Sequence, residues 1–156
     1  MMKKAAGFFF LIACVAGAAV VRPAPNFTFE GPRSLSSLRA LRGQPVVLIV
    51  ARSPRDGAVR KQAARLREVY QQFAAHKVVF IAAFVRDSGP VASDIPFVIA
   101  PNGEEIAAAY DVHEPFNVII IGRDGNIDAQ TSKVLPASRV RDVIQNSFEE
   151  QTARRK

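Results

Sequence analysis

VVLIV at residues 46–50 is an unbroken apolar run near the middle of the first half of the chain. The run does not alternate between apolar and polar residues, which is typical of a strand buried on both faces of a sheet. Two further runs have the same character, VVFIAAFV at 78–85 and VIII at 118–121. The sequence therefore predicts three central strands in one buried sheet.

The interval between the first two runs favours a helix over residues 58–75. Apolar side chains recur there at spacings of three and four, which places them on one face of a helix: Val59, Ala63, Leu66, Tyr70 and Phe73. A strand, a helix and a strand in this order predict a right-handed crossover between parallel strands. The predicted core contains Leu66, Tyr70, Phe73, Val79, Ile81, Ile119 and Ile120.

The second half of the chain predicts a short helix at 104–110, a hairpin of strands 118–121 and 127–131, and a last helix opened by Pro136. RDGN at 123–126 suits the hairpin turn, and proline suits the first position of a helix. The last helix would bury Val140, Val143, Ile144 and Phe148. We predict a single α/β domain over residues 22–150, in which 22–26 is a short flexible lead, followed by a flexible basic tail at 151–156.

Residues 1–21 resemble an export segment, because a basic start with Lys3 and Lys4 precedes an apolar stretch at 5–21. Three fates stay open. Cleavage at the AGA of 16–18 would release a soluble chain, lipidation of Cys14 would tether it, and an uncleaved segment would be a short membrane anchor. The signal looks bacterial, so we expect a periplasmic, envelope-bound or secreted protein, with membrane attachment through Cys14 or residues 5–21 as two of the alternatives.

Composition narrows the function classes. Cys14 is the only cysteine, so the exported domain has no disulfide framework. The chain has 21 basic and 14 acidic residues, a net charge of +7, which allows a weak attraction to anionic membrane surfaces. The basic residues are not interleaved with aromatic ones, so we expect no nucleic-acid partner. With two histidines in the chain, we expect no metal site, and no motif indicates a cofactor.

Several motifs occur in the order and spacing of a known family: APNFTF at 24–29, SLSSL at 34–38, GQPVVL at 43–48, PFVIAPNGE at 96–104, AYDV at 109–112 and IIIGRDG at 119–125. They resemble redoxins, the peroxiredoxin and thiol-disulfide-oxidoreductase branch of the thioredoxin-like superfamily. The same stretch is also similar to an uncharacterised thioredoxin-like domain of sushi-repeat secreted proteins. The resemblance implies a thioredoxin-like three-layer sandwich with a central mixed sheet.

The resemblance also implies a redox site at the loop-to-helix junction after the first buried strand. In that family a nucleophilic thiolate lies there, with a partner cysteine three residues on. The matching positions here are Arg55 and Ala58, within SPRDGA at 53–58, and neither side chain is a nucleophile. A cis-proline is expected to face the junction. Pro115 is the candidate, and both of its isomers stay open because it lies one residue early in the motif.

The positions of this lost redox site are candidate binding residues. They are Ser53, Arg55, Asp56, Gly57, Ala58, Pro115 and Phe116. The start of a helix favours an anion through its backbone N–H groups, and nearby arginines would add charge. The alternative interpretation is that Asp56 or Ser53 simply caps the helix and the arginines are solvated.

The sequence thus favours an exported, redox-inactive thioredoxin-like domain without catalytic residues. It would act as an envelope accessory module that binds an unidentified protein or peptide. One alternative is a redoxin-type oxidoreductase or peroxidase relative whose activity depends on a thiol from a partner. Another is a structural envelope protein tethered through Cys14.

Overall fold

The structure is a computed structural model that describes residues 21–31, 33–74 and 77–154. Its elements are β1 (Thr28–Glu30), β2 (Leu35–Ser37), a 3-10 turn (Leu38–Leu41), β3 (Val46–Ala51), α1 (Gly57–Arg67), α2 (Tyr70–Ala74), β4 (Val79–Phe84), β5 (Phe97–Ala100), α3 (Gly103–Ala109), β6 (Phe116–Ile121), β7 (Ile127–Thr131) and α4 (Ala137–Arg154). Strands β1 and β2 form an antiparallel hairpin, and the other five form a sheet in the order β5-β4-β3-β6-β7.

Strand β3 is the centre of this mixed sheet. It pairs in parallel with β4, from Val46 beside Val79 onward, and antiparallel with β6, where Ala51 lies opposite Phe116. All six residues of β3 are buried. The three apolar runs are therefore the three central strands, as the absence of alternation predicted.

The side chains of β3 alternate between two hydrophobic cores. Val47 and Ile49 pack on the face covered by α1 and α4, while Leu48 and Val50 pack on the face covered by α3 and the β1–β2 hairpin. The result is the predicted three-layer α/β sandwich. Of the predicted core residues, Leu66, Ile81, Ile119 and Ile120 are fully buried, Tyr70 and Val79 are partly buried, and the side chain of Phe73 lies outside the described part.

The single helix predicted over residues 58–75 is wrong, because the chain forms two helices with a break at Glu68 and Val69. The amide of Val69 donates to Leu66 O at 3.2 Å, an i to i−3 bond that tightens the turn. Val69 is 2% exposed, and Tyr70 also packs against the core. Two consecutive large side chains therefore pack against the sheet where the helix breaks.

The remaining elements agree closely with the sequence pattern. Gly125 has φ of 82° in the turn between β6 and β7, a conformation that favours glycine. Helix α3 begins one residue early, and α4 follows Pro136 but continues to Arg154, so residues 151–154 of the predicted tail are helical. The short strands β1, β2 and β5 were not predicted from the sequence pattern.

Residues 22–24 pair with the β6–β7 turn. Ala24 N donates to Gly125 O at 2.9 Å, and Ile127 N donates to Arg22 O at 2.8 Å. The chain is thus held in place from its first described residues, where a flexible lead was predicted. The predictions for residues 1–20, including Cys14, lie outside the described residues. None of the helices in the described ranges combines the length and apolar character needed to cross a bilayer.

Tyr110 is a fully buried side chain whose ionisation should affect stability at alkaline pH. Its hydroxyl donates to Pro25 O at 2.8 Å. Burial raises the pKa of Tyr110 far above its usual range, and the positive charge of Arg22 opposes this rise only in part. Below about pH 10 both folded and unfolded chains keep the phenol proton. Above that pH the unfolded chain loses the proton first, so folding stability falls as the pH rises.

We therefore expect Tyr110→Phe to flatten the alkaline decline of the free energy of unfolding. Urea unfolding of wild type and variant between about pH 8 and about pH 11 measures it. The variant loses one hydrogen bond at neutral pH, worth about 1 kcal/mol, but its slope above pH 10 should be smaller. Equal slopes in the two proteins would contradict the assignment. Lysine titration contributes equally to both and cancels.

Candidate functional site

The loop between β3 and α1 meets two other segments at the carboxyl end of β3. Arg52 N donates to Pro115 O at 3.2 Å, which ties the loop to the segment that precedes β6. Arg52 O accepts hydrogen bonds from Arg86 N at 3.0 Å and Asp87 N at 3.2 Å, which tie it to the segment that follows β4. The loop therefore has a backbone fixed from both sides.

Within the loop, Ser53 forms a local turn. Its Oγ accepts a hydrogen bond from Arg55 N at 3.2 Å, and its carbonyl accepts one from Asp56 N at 3.2 Å. Asp56 stands at the N-cap position of α1, but no side-chain hydrogen bond caps the helix. The interpretation of Asp56 or Ser53 as a helix cap is therefore wrong, and the first amides of α1 lack the acceptor that a cap would supply.

A groove of about 870 Å³ lies beside this loop. We call it the arginine groove, and its lining is Ser53, Pro54, Arg55, Arg60, Arg86, Asp87, Ser88, Gly89, Pro90 and Ala92. Its lining contains three guanidinium groups and one carboxylate. In the described part of the chain, no ion pair joins Arg55, Arg60 or Arg86 to an acidic residue. Their charge is therefore available to a ligand.

The structure brings together some of the predicted site residues and separates others. Ser53 and Arg55 line the groove. Ala58 packs partly against the core, and Pro115 lines a separate niche of about 170 Å³ behind the loop. Phe116 is 5% exposed and belongs to the core beneath α1 and α4, so its ring is not available to a ligand at this surface.

Pro115 is not a cis-proline, because every peptide bond in the described ranges is trans. Its carbonyl still bonds to the loop through Arg52 N, so the contact between the two segments does not need the cis isomer. Asn117, the neighbour of Phe116, is also buried, and its Nδ2 donates to Phe116 O at 2.9 Å. Phe116 and Asn117 therefore do not line the groove, and the segment after β4 lines it instead, through residues 86–90 and Ala92.

Sequence reasoning missed Arg86 and the segment around it. The available signal was the turn-forming SGP at 88–90, directly after the second buried strand. Neighbouring parallel strands end at the same edge of a sheet, which is where α/β proteins bind ligands. Because β3 and β4 are parallel neighbours, the residues after β4 had to lie beside the loop after β3.

The site shows no arrangement typical of acid–base or metal chemistry. His113 Nε2 lies 2.8 Å from Asp111 Oδ1, but both side chains are more than three-quarters exposed, at 82% and 77%. Such an exposed pair is weakly coupled. Among the residues that the structure describes, no group of three or more His, Cys, Asp or Glu side chains could hold a metal ion.

Comparison with known proteins supports the fold. No protein-family model matches the chain, and no curated protein matches it. Among solved structures, the chain is similar to a putative thiol:disulfide interchange protein (DsbE) from Chlorobium tepidum, with 18% identity, a TM-score of 0.66, and coverage of 81% of this chain and 96% of that one.

Two further solved structures give the same result. A thiol:disulfide interchange protein of the thioredoxin family from Chlorobium tepidum has 14% identity and a TM-score of 0.68, and covers 83% of this chain and 98% of its own. The peroxidoxin BcpB from Mycobacterium tuberculosis has 14% identity and a TM-score of 0.60, with coverage of 83% and 96%. At these identities the likeness establishes the fold alone.

The chain therefore has the thioredoxin-like fold of redoxins, with a single cysteine in its whole sequence. Arg55 and Ala58 stand three residues apart at the junction of β3 and α1, where α1 begins at Gly57. The resemblance to redoxins is confirmed. The resemblance to the domain of sushi-repeat proteins stays a prediction.

Proposed function

We propose that this protein is an exported, redox-inactive thioredoxin-like module that binds an acidic segment of a partner protein or peptide in the arginine groove. The observation that carries this proposal is the groove itself: three arginines that make no ion pair with a described acidic residue line it, beside the loop where the resemblance to redoxins implies thiol chemistry. Envelope localisation rests on the export pattern of residues 1–21.

The chemistry of the groove suits carboxylates. Guanidinium groups bind carboxylates through two parallel N–H donors, which gives both charge and orientation. The positive end of the helix dipole of α1 also favours an anion, and Asp56 makes no cap hydrogen bond that would occupy the first amides of the helix. Arg55, Arg60 and Arg86 are all exposed, so salt should screen the attraction strongly. We expect modest affinity that falls as the ionic strength rises.

A fluorescent acidic peptide, tested by polarisation at two salt concentrations, measures this binding. We expect Arg55→Gln with Arg86→Gln to weaken binding by about tenfold or more, since each charge-assisted hydrogen bond contributes about 1.5–3 kcal/mol. Arg33→Gln with Arg39→Gln is the matched control, because both arginines are exposed, lie outside the lining of the groove and carry the same total charge as the tested pair. An equal loss in this control would show that net charge, and not the groove, attracts the peptide.

The proposal also predicts that the purified protein has no thiol-dependent peroxidase or insulin-reductase activity. Arg55 and Ala58 supply no thiolate, and the chain has no cysteine after Cys14. Peroxide consumption and insulin precipitation in the presence of dithiothreitol measure these activities. Turnover above a heat-treated control, in protein free of contaminating reductases, would favour the redox alternative.

A further inference from the structure

A second basic cleft lies between α1 and α4, with a volume of about 830 Å³. Lys61 and Arg65 line it from α1, and Arg141 lines it from α4. It shares no lining residue with the arginine groove. Glu68 is the one acidic residue in its lining, so the cleft carries an excess of positive charge. This positive charge lies on a different surface from the proposed peptide site.

Arg141 is the residue that singles out this cleft. Its Nε atom is buried and has no hydrogen-bond partner among the described residues. A buried donor without an acceptor is costly, and such groups in folded proteins are usually satisfied by protein, water or an ion. Nε of Arg141 therefore lacks an acceptor in the described part of the chain, while the guanidinium itself belongs to a residue that lines the cleft.

The facing cations on α1 are also available. Arg65 Nη1 lies 3.0 Å from Glu68 Oε1, but the two side chains are 56% and 52% exposed, so this pair is weak and easily rearranged. Lys61 makes no ion pair with any described carboxylate. The cleft thus places an ammonium and two guanidinium groups on two helices, with one acidic side chain to balance them.

The N-terminal end of α4 also carries positive charge that an anion would balance. Ala137 and Ser138 line the cleft, and no acidic residue lies in the first turn of the helix. Arg139 stands there instead, where the helix dipole disfavours positive charge, and Arg141 follows at the start of the second turn. An anion held between Arg141 and Lys61 would offset the positive charge at this end of the helix.

We propose that this cleft binds a phosphate-type oxyanion, either free or as part of an anionic lipid headgroup. Lys61 supplies a point charge, Arg141 supplies directed N–H donors, and Ser138 lies in the same lining. Donors that approach from two helices suit a tetrahedral oxyanion better than a planar carboxylate, which matches a single guanidinium. The surface would give the protein an anion-dependent contact that is independent of its peptide site.

Titration calorimetry of the exported protein with inorganic phosphate, at an ionic strength held constant with sodium chloride, tests the first source. Flotation with vesicles of phosphatidylglycerol and phosphatidylcholine, against phosphatidylcholine alone, tests the second. We expect saturable binding in at least one arm, weakened about tenfold or more by Arg141→Gln and by Lys61→Gln. Arg139→Gln is the matched control, because it removes the same charge from the same helical turn without touching the cleft lining.

The outcomes separate cleanly. Binding in the phosphate arm shows that the free anion is sufficient, and binding in the vesicle arm alone identifies the lipid headgroup. Either result supports the cleft if Arg141→Gln and Lys61→Gln weaken the binding and Arg139→Gln does not. The proposal would be overturned if neither phosphate nor vesicles bound saturably. It would also be overturned if all three variants lost the same amount of affinity. Lys61 is exposed, so Lys61→Gln should fold normally even if Arg141→Gln does not.

Discussion

Truncation of Ile120 or Leu66 to alanine is expected to lower the free energy of unfolding by about 2–5 kcal/mol, the usual cost of lost burial plus a residual cavity. Both side chains are fully buried in the core beneath α1 and α4. Ile120 lies on β6, which pairs with β3 along its whole length, and Leu66 lies on α1.

Urea unfolding followed by circular dichroism measures these losses. Leu35→Ala is the matched control, because Leu35 is 67% exposed and its truncation should change stability by less than about 0.5 kcal/mol. A loss that small at both Ile120 and Leu66 would refute the central strand and the buried face of α1 together.

Gly103→Ala is expected to destabilise the protein by about 3 kcal/mol, the upper part of the usual range for overpacking. A Cβ atom at this position would collide with the backbone carbonyl group of Phe84, at the end of β4. Backbone atoms cannot move aside as a flexible side chain does, so α3 would have to shift away from the sheet. Such a shift would also disturb two buried side chains, Ile106 of α3 and Tyr110 at its C-terminal end.

Gly57→Ala provides the control, because Gly57 is likewise the first residue of a helix, and nothing lies within 4 Å of its added Cβ. We expect this change to be neutral or to stabilise the protein by about 0.4–1 kcal/mol through the unfolded chain. Thermal and urea unfolding compare the two variants directly. Similar stabilities for both would contradict the close approach of α3 to β4.

The sequence pattern predicted the parts of the fold that burial dictates. Strands β3, β4 and β6 are buried on both faces, so their apolar runs are continuous and easy to recognise. Strands β1, β2 and β5 have only three or four residues, too few for a periodic signal. The break before Tyr70 was not predicted, because Leu66 and Tyr70 are spaced as in one continuous helix. Val69, which is also buried, is not part of that spacing.

The candidate site was predictable where it follows directly from chain order. Ser53 and Arg55 come just after β3, at the edge where parallel strands end. Phe116 failed as a site residue because of register: it lies opposite Ala51 and points to the same core. Arg86 and the cleft at Arg141 depend on which segments meet in space, which local sequence patterns do not reveal.

We infer that Arg55 and Ala58 occupy the two thiol positions of a thioredoxin-like site. Cysteines introduced at both should lie three residues apart at the first turn of α1, near the roughly 4.4–6.8 Å Cα separation at which a disulfide closes. The thiol at position 55 would also meet the positive end of the helix, which should make it the more acidic of the two. Cys14→Ser removes the remaining thiol of the chain.

The measurement is mass spectrometry of the variant that combines Arg55→Cys, Ala58→Cys and Cys14→Ser after mild oxidation, with alkylation rates of its reduced form across a pH series. We predict an intramolecular disulfide and faster alkylation at position 55 below about pH 8, since a free thiol has a pKa of about 8.5. Each single cysteine variant should yield no intramolecular bond. Two cysteines that stay reduced, or that both titrate as free thiols, would contradict the placement of this loop at the redox position.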